Sequence, residues 1–204
     1  MQEIRCNVLQ DIGQFELVLL PISMYQKKDG GIPVPKDGIL SKFVEKYPDL
    51  PQEIGKGVEK FGNCPSIVMT VPNTRFPTKF ATFPVAPTSL RAEDPDNYVF
   101  QRLKGRFKPY TLLPGWTITP RSDVIEFSSF KLREIIKYYK LTKLVIPFEM
   151  FTFDREDKDD YTRVKTIMKK YLGSEVLIAT HTRESSQGTI TSSVSSSLTM
   201  DDDE

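Results

Sequence analysis

The sequence is poor in the residue types that most catalytic and metal sites use. Its 204 residues contain two cysteines, Cys6 and Cys64, and one histidine, His181. So few ligands leave little for a zinc site, and two lone cysteines suit a reducing, cytoplasmic compartment rather than a disulfide scaffold. Nucleophilic catalysis by serine or cysteine would have to depend on His181 alone. We therefore expect no metal, no cofactor and no catalytic residue of these classes.

Long hydrophobic segments are missing as well. No apolar run approaches 18 residues, which excludes a predicted membrane span, and residues 1–13 lack the basic start and apolar centre of a signal peptide. Apolar residues still make up 39% of the chain and aromatic residues 11%, enough for a real core. The composition predicts one domain, or one domain with a tail, and no membrane partner.

Charge of one sign is in excess only locally. The chain has 28 basic and 27 acidic side chains, but residues 183–204 hold one basic and five acidic ones. The remaining residues, 1–182, carry 27 basic and 22 acidic side chains, a net charge of +5. Such a body suits a phosphate-bearing ligand, although the value is ordinary for its length. No dense basic stripe stands out in the sequence, which argues against a nucleic-acid partner.

Residues 183–204 are rich in serine and threonine and end in four acids, Asp201–Glu204. A segment of this composition buries too little apolar area to offset its ordering entropy. We therefore predict a domain over residues 1–182 and a disordered tail over 183–204. The tail either solubilises the protein or provides a contact or modification site.

The body alternates short apolar runs with amphipathic stretches. This alternation predicts a mostly parallel sheet covered by helices on both faces, with ligands at the carboxyl ends of the strands. A helix from residue 123 to 140 would be capped by Ser122 or Asp123, and one ending near Leu172 would be closed by Gly173. A further helix runs over 39–47, and strands are expected at Arg5–Leu9, Phe15–Ile22, Ser66–Val71, Leu144–Phe148 and Glu175–Thr180.

The pattern breaks down between Pro72 and Trp116, where seven prolines interrupt it. A connection this long in a compact domain is usually a functional lid or irregular strand pairing, and the sequence does not decide between them. Tyr110 and Trp116 could stack on a base or pack in a core or lid.

Three stretches together resemble the macro domain of bacterial ADP-ribose-binding proteins. The first is Gln10-Asp11-Ile12 with the apolar run after it, similar to the family's Gly-Asp-Ile and first buried strand. The second, residues 30–63, resembles the family's glycine-rich loop, the following helix and a proline passage to a Gly-Asn turn. The third runs from Pro114-Gly115-Trp116 through the long helix to Leu172. The resemblance implies a three-layer α/β/α sandwich, with a mostly parallel mixed sheet and an ADP-ribose cleft.

The resemblance implies a ligand site with three parts, for the adenine, the ribose and the diphosphate. Asp11, followed by Ile12, would accept from the adenine amino group; the alternative for Asp11 is a turn or helix-cap acid. The family's ribose-binding asparagine falls near Ser23 or Met24, neither of which is an amide, and Ser23 could give at most one short contact. The diphosphate loop would comprise Gly31, Lys36 and Gly38 before the helix at Ile39, with Asp37 opposing an anion; the alternative is a solvated turn.

The second diphosphate loop departs from the family. Residues Phe148–Tyr161 (FEMFTFDREDKDDY) contain no glycine, so close backbone approach to a phosphate would be blocked by side chains. Their acids could hold a divalent cation, but the EF-hand pattern is absent and a solvated acidic loop is the favoured interpretation. The phenylalanines indicate either a filled pocket or an exposed patch for a protein partner.

Three functions therefore stay open. The favoured one is a non-catalytic module that binds ADP-ribose or a related nucleotide. The alternative is a pseudo-macro domain that has lost the ligand and binds a protein partner through its Phe148–Tyr161 loop and tail. Less favoured is an ADP-ribosyl hydrolase, because hydrolysis in the family depends on a water placed between two glycine-rich phosphate loops.

Overall fold

The computed structural model describes residues 1–36, 38–72, 77–151 and 158–180, with Lys158 described by its backbone only. The predicted domain boundary at residue 182, the tail, His181 and most of the acidic loop lie outside these residues. The strands are β1 (Gln2–Arg5), β2 (Leu17–Ser23), β3 (Ile67–Val71), β4 (Thr78–Ala86), β5 (Ser89–Arg91), β6 (Leu112–Pro114), β7 (Leu144–Pro147) and β8 (Val176–Thr180). The helices are α1 (Ile39–Lys46), α2 (Leu50–Phe61), α3 (Ser122–Tyr139) and α4 (Lys158–Tyr171).

Six strands form one mixed sheet in the order β1-β8-β7-β2-β4-β3. Five of them are parallel, and β3 runs antiparallel to β4 at one edge. Strand β7 is buried along its whole length and β2 in all but its last residue, Ser23, which explains their nearly unbroken apolar sequences. The predicted three-layer α/β/α sandwich with a mostly parallel mixed sheet is confirmed.

Two hydrophobic layers cover the two faces of this sheet. Because successive strand residues point to opposite faces, Leu17 and Leu19 pack towards α3 and α4, whereas Val18 and Leu20 pack towards α1 and α2. Both layers contain phenylalanines that are completely buried, such as Phe83 on the first face. Burying side chains of this size contributes about 1.5–3 kcal/mol each, so the central strands hold the fold together.

The segment between β4 and α3 forms a small annex with its own core. Strands β5 and β6 pair antiparallel there, and a separate cluster of buried side chains fills the space beneath them. This annex leaves the carboxyl end of β4 and returns at Arg121, whose N–H donates to the Val85 carbonyl at 2.8 Å. It therefore lies at the carboxyl edge of the main sheet. The cluster comprises Ala86, Ala92, Val99, Phe100, Leu103, Leu113 and Ile118.

Several sequence-based element predictions are wrong in detail. The first strand is Gln2–Arg5, not Arg5–Leu9, because the chain turns at Asn7, whose carbonyl accepts from the Asp11 N–H at 2.9 Å. The proline-rich stretch after Pro72 contains β4, a central strand, since the missing N–H of Pro84 does not prevent it from pairing through its neighbours. Helix α2 was not predicted; Pro51 lies in its first turn, where a missing N–H costs nothing.

Two predicted helix ends also differ from the structure. Neither Ser122 nor Asp123 caps α3: the N-cap is Arg121, and the Asp123 carboxylate instead accepts two hydrogen bonds from its guanidinium at 2.9 Å. Gly173 does not adopt a positive φ, and its N–H donates to the Glu175 carboxylate at 3.0 Å. None of the helices in the described part of the chain has the length and hydrophobicity that crossing a bilayer requires.

Candidate functional site

The sheet splits at its carboxyl edge between β2 and β7. In the described chain these strands pair only through Leu17 with Leu144 and Val18 with Val145, so their later residues diverge. Pro21 lies in the part of β2 that pairs with β4 but not with β7, and it has no N–H to donate to a neighbouring strand. The chain also changes direction here, because the strands after β2 are added on both of its sides. A crevice at such a switch point is the usual ligand position in open α/β sheets.

One side of this split is formed by the loop that follows β2, residues 24–38. Its first residue, Met24, is fully buried, and its middle packs closely against α2. A Cβ on Gly55 of α2 would lie only 1.7 Å from the carbonyl oxygen of Gly30, so no other residue fits at position 55 without moving the loop. The side chain of Gln26 adds hydrogen bonds to the carbonyls of both glycines, at 3.0 and 3.2 Å. The loop is thus held as a preformed unit.

This loop ends at Gly38, which begins α1 with a φ of +106°. Because Gly38 has no side chain, no side chain among the described residues caps the first N–H groups of α1, and no acidic residue lies in the helix's first turn. A Cβ built at Gly38 would have no heavy atom within 4 Å, so the space around the residue is open. The free amides and the helix dipole together favour an anion here. Lys36, also exposed, lies two residues before Gly38.

The other side of the split is formed by the turn Phe148–Phe151 that follows β7. This turn contacts β2, β8 and α1, so it lies across the top of the split. Phe148 and Phe151 stack at 4.8 Å in the layer under α3 and α4, whereas Met150 belongs to the layer under α1. All three side chains are at least 92% buried. The turn therefore fills the split at the carboxyl edge of the sheet, and its side chains belong to both hydrophobic layers. We call it the plug.

The segment that contains Asp11 lies on the α1 face of the sheet. The Lys46 ammonium, in the last turn of α1, donates to the Leu9 carbonyl at 3.1 Å, and the Thr78 hydroxyl lies 2.7 Å from the Phe15 carbonyl. Asp11 itself is half-buried, and its carboxylate accepts from the Gln14 side chain at 3.2 Å. Asp11 and Gly38 are thus associated with opposite ends of α1, a helix about 10 Å long.

Asp11 also has an electrostatic effect on its surroundings. Burial is the main reason why the pKa of the Cys6 thiol is raised, and the negative charge of Asp11 raises it further. Cys6 and Cys64 are both free thiols. A thiol held in its neutral form is a poor nucleophile, which gives Cys6 no catalytic character.

The remaining predicted site residues are placed less favourably. Gly31 is buried against α2, and its N–H already donates to the Asp29 carboxylate at 3.0 Å, so it offers no free amide. Ile12 is a core residue, only 4% exposed, and Ile39 is half-buried at the start of α1. Ser23 is half-buried at a bulge where β2 ends, opposite Ala86. Asp37 lies outside the described residues.

Sequence reasoning missed the split itself and left open whether the phenylalanines after β7 fill a pocket or form an exposed patch; Phe148 and Phe151 are buried. The proline inside the run FELVLLPI was the available signal for the split, because a central parallel strand rarely tolerates one. Within the described residues, no group of three or more histidine, cysteine or acidic side chains is placed to hold a metal. The two recorded surface cavities, of about 620 and 140 Å³, are lined by other residues than the predicted site.

Comparison with known proteins identifies the fold through structure alone. No protein-family model matches the chain, and no curated protein matches it in sequence. The macrodomain of Thermus aquaticus DarG superposes with a TM-score of 0.52 at 16% identity, covering 88% of this chain and 97% of that one. The macrodomain of Mycobacterium tuberculosis DarG superposes with a TM-score of 0.54 at 14% identity, covering 87% and 95%.

A third similar structure contains a ligand. Thermosipho africanus DarTG in complex with ADP-ribose superposes with a TM-score of 0.50 at 14% identity, and the match covers 84% of this chain and 39% of that one. At these identities the likenesses show the fold and nothing finer. The resemblance read from the three sequence stretches is confirmed at that level.

Proposed function

The chain has a macrodomain-like fold, and from this we propose that it is a non-catalytic module that binds ADP-ribose or a related nucleotide. The observation that carries the proposal is the open N-terminus of α1 at Gly38. There the backbone has a positive φ, the first-turn amides lack a side-chain cap, and the surrounding space is empty. A diphosphate is the kind of ligand that such a helix end attracts.

The geometry of α1 also supports a ligand with two recognition points. Its N-terminus offers amides for the diphosphate, and the segment at its other end contains Asp11, an acceptor for an adenine amino group. A nucleotide carries its base and its phosphates at two ends of a ribose, so it needs contacts that are separated by a comparable distance. The ADP-ribose found in the Thermosipho complex, whose fold is similar, supports this ligand class.

The filled second loop supports the absence of catalysis in this proposal. Where the family has a glycine-rich loop, this chain has Phe148, Met150 and Phe151, all buried in the layers beneath. The N–H of Phe151 donates to the Phe148 carbonyl at 3.1 Å, so it is used inside the turn. A space for a hydrolytic water between two phosphate loops would require these side chains to leave the core. A cytoplasmic location, in keeping with the two free thiols, is part of the proposal.

The plug favours a second candidate, a pseudo-macro domain that no longer binds a nucleotide. If the turn at Met150 closes the split completely, the open helix end has no partner loop and holds phosphate too weakly to be useful. In that case the protein acts through a protein partner at the surface near the Phe148–Tyr161 loop and the tail.

Calorimetric titration of ADP-ribose into the full chain separates these candidates. The informative pair of variants is Gly38→Ala and Gly105→Ala. Both glycines have a positive φ and no neighbouring heavy atom around a built Cβ, so both substitutions introduce a similar backbone strain of about 1 kcal/mol. Only Gly38 lies at the proposed phosphate seat. We expect wild-type and Gly105→Ala proteins to bind equally and Gly38→Ala to bind at least tenfold more weakly.

Asp11→Ala completes this experiment. We expect it to weaken ADP-ribose binding while leaving the affinity for inorganic pyrophosphate unchanged, because pyrophosphate has no base to contact. Absence of heat with millimolar ADP-ribose would rule out the proposed function and favour the pseudo-macro domain. Equal weakening by Gly38→Ala and Gly105→Ala would rule out the α1 N-terminus as the phosphate seat.

A further inference from the structure

The annex carries an exposed basic surface that the proposed ligand site does not use. We define the annex cations as Arg102, Lys104, Arg106 and Lys108. They occupy alternate positions in one short segment, and all four are exposed. Among the described residues none of them takes part in an ion pair. The Arg102 guanidinium lies 5.5 Å from the Phe100 ring, its one aromatic contact in this part of the chain.

Two anchoring residues hold this segment against the annex while its cations stay at the surface. Leu103, between the first two cations, is 5% exposed and anchors the segment in the annex core, and Phe107 packs partly against the same cluster. Gly105 supplies the positive φ at which the chain turns between the two anchors. The four cations are therefore exposed close to one another, on a segment whose backbone is anchored in the annex.

No acidic residue offsets this surface within its own stretch of sequence. Between Asp96 and Asp123 the chain contains no aspartate or glutamate. The annex acids precede this stretch, and the Asp94 carboxylate accepts from the Asn97 side chain at 2.8 Å and the Asp96 N–H at 3.0 Å. Four unneutralised charges of one sign at such spacing form a surface that an acidic segment would complement.

The chain itself contains a segment of matching charge. Residues 181–200 include only Arg183 and Glu184 as charged side chains other than His181, and they are followed by four consecutive acids, Asp201–Glu204. We propose that this acidic run docks on the annex cations of its own chain. Four acids opposite four cations give a contact that neutralises both.

The distance between the two segments allows this contact. Strand β8 ends at Thr180 on the carboxyl edge of the sheet, and the annex leaves the same edge from β4, three strand positions away. Three spacings amount to about 14 Å. Twenty residues with coil dimensions span about 25 Å on average and at most about 66 Å. Because the acids are tethered, their effective concentration at the annex is high even though each exposed ion pair contributes little.

Energy transfer within the full chain tests the proposal. Trp116 is the only tryptophan, lies in the annex and is 42% exposed, so it serves as the donor. A fluorescent acceptor is placed on Thr199→Cys, next to the acidic run, in a chain with Cys6→Ser and Cys64→Ser. We expect the transfer efficiency to fall at least twofold when the salt concentration is raised to 0.5 M, because screening removes the attraction.

Three charge variants locate the contact. The first neutralises the acids, as D201N/D202N/D203N/E204Q, and the second neutralises the annex cations, as R102Q/K104Q/R106Q/K108Q. The matched control removes four exposed cations from α3, α4 and the turn after α3, as R133Q/K137Q/K140Q/K169Q, and so changes the net charge equally. We expect the first two to lower the transfer at least twofold and the control to retain it.

Each other outcome overturns the proposal. Unchanged transfer in all variants means that the acidic run does not dock. An equal loss in the control means that net charge, and not the annex surface, attracts the tail. A third outcome is that the transfer efficiency is the same in the tail variant and in the wild type, while a fluorescent single-stranded oligonucleotide binds the wild-type chain but not the annex variant. In that case the surface binds a nucleic acid instead.

Discussion

The two loops that flank the split each follow one of its strands, β2 or β7, at the carboxyl edge of the sheet, but one is open and the other is filled by its own side chains. The loop over residues 24–38 is fixed from below by α2 and ends in an open glycine at the start of α1. The Phe148–Phe151 turn sends its own side chains into both layers of the core. The difference lies in the side chains: the loop that ends at Gly38 leaves open space at a helix N-terminus, whereas Phe148, Met150 and Phe151 bury their own side chains beneath their turn.

The contrast also bears on stability. A glycine-rich loop would contribute little to a hydrophobic core, whereas Phe148 and Phe151 add buried aromatic area and stacking. The filled turn therefore stabilises the fold. The open loop needs a close approach to α2 instead, which Gly55 permits.

The largest expected effect is a loss of stability when a side chain of the Phe148–Phe151 turn is removed. Phe151 is 4% exposed and contacts both Phe148 and Phe83. We expect Phe151→Ala to lower the free energy of unfolding by about 3 kcal/mol, because it leaves a cavity under the turn. Chemical denaturation measures this change. The control is Phe127→Ala on α3, where the ring is 44% exposed and we expect a loss below about 0.5 kcal/mol. Similar losses in the two variants would mean that the turn is not a plug.

Adding one methyl group to α2 should destabilise the loop over residues 24–38. Gly55→Ala would force a Cβ against the Gly30 carbonyl at 1.7 Å, a backbone atom that moves only with the loop. We expect a loss of about 2 kcal/mol in unfolding free energy and weaker ligand binding. Gly57→Ala in the same helix is the control, since its Cβ would meet side-chain atoms and no backbone, namely a methyl of Val68 at 2.7 Å and the Ser66 hydroxyl at 3.3 Å. A larger loss for Gly57→Ala than for Gly55→Ala would contradict the close packing of loop and helix.

A smaller loss of stability is expected from a substitution at the amino edge of the sheet, far from the proposed ligand site. Such a variant shows whether stability can change without a change in binding. One oxygen of the Glu16 carboxylate accepts from the Thr142 N–H at 2.6 Å, the Thr142 hydroxyl at 3.0 Å and the Lys143 N–H at 2.9 Å. Burial alone would raise the pKa of Glu16, but these hydrogen bonds outweigh it and hold the pKa below 4.5. The charged form is thus favoured in the folded protein.

The sign of this shift sets the pH dependence. A carboxylate with a lowered folded pKa stabilises the protein above its unfolded pKa, and the stabilisation is lost as the pH falls through the folded value. We expect Glu16→Gln to cost about 1 kcal/mol at pH 7 and less at pH 3, with ADP-ribose binding at pH 7 unchanged. Denaturation at the two pH values tests this. A cost that does not vary with pH would mean that the carboxylate charge is not involved.

The layers and the sheet could be predicted because they depend on local hydrophobic patterns. The runs around Leu17–Leu20 and Leu144–Pro147 predict buried strands without any knowledge of their neighbours. Strand β4 was missed because its proline suggests a break, although flanking residues make the pairing. The annex surface was missed because the sequence does not show that Leu103 and Phe107 anchor this segment in a core, which leaves the four cations around them exposed.

The site itself was predictable only in part. The sequence predicts that Gly38 begins a helix and that the second loop lacks glycine. It does not predict that Met150 and Phe151 enter different layers, because that depends on where β2 and β7 separate. Nor does it predict that the Gly31 amide is already occupied by Asp29, a contact set by the local turn.

The most direct test follows backbone amide signals by NMR while ADP-ribose is added to the full chain. The account predicts that the amides of Ile39, Leu40 and Ser41 shift with ligand concentration, because they form the uncapped first turn of α1. It predicts that the amides of the Phe148–Phe151 turn stay in place, because their side chains fix the turn in the core. Shifts at the turn with none at the first turn of α1 would contradict the account.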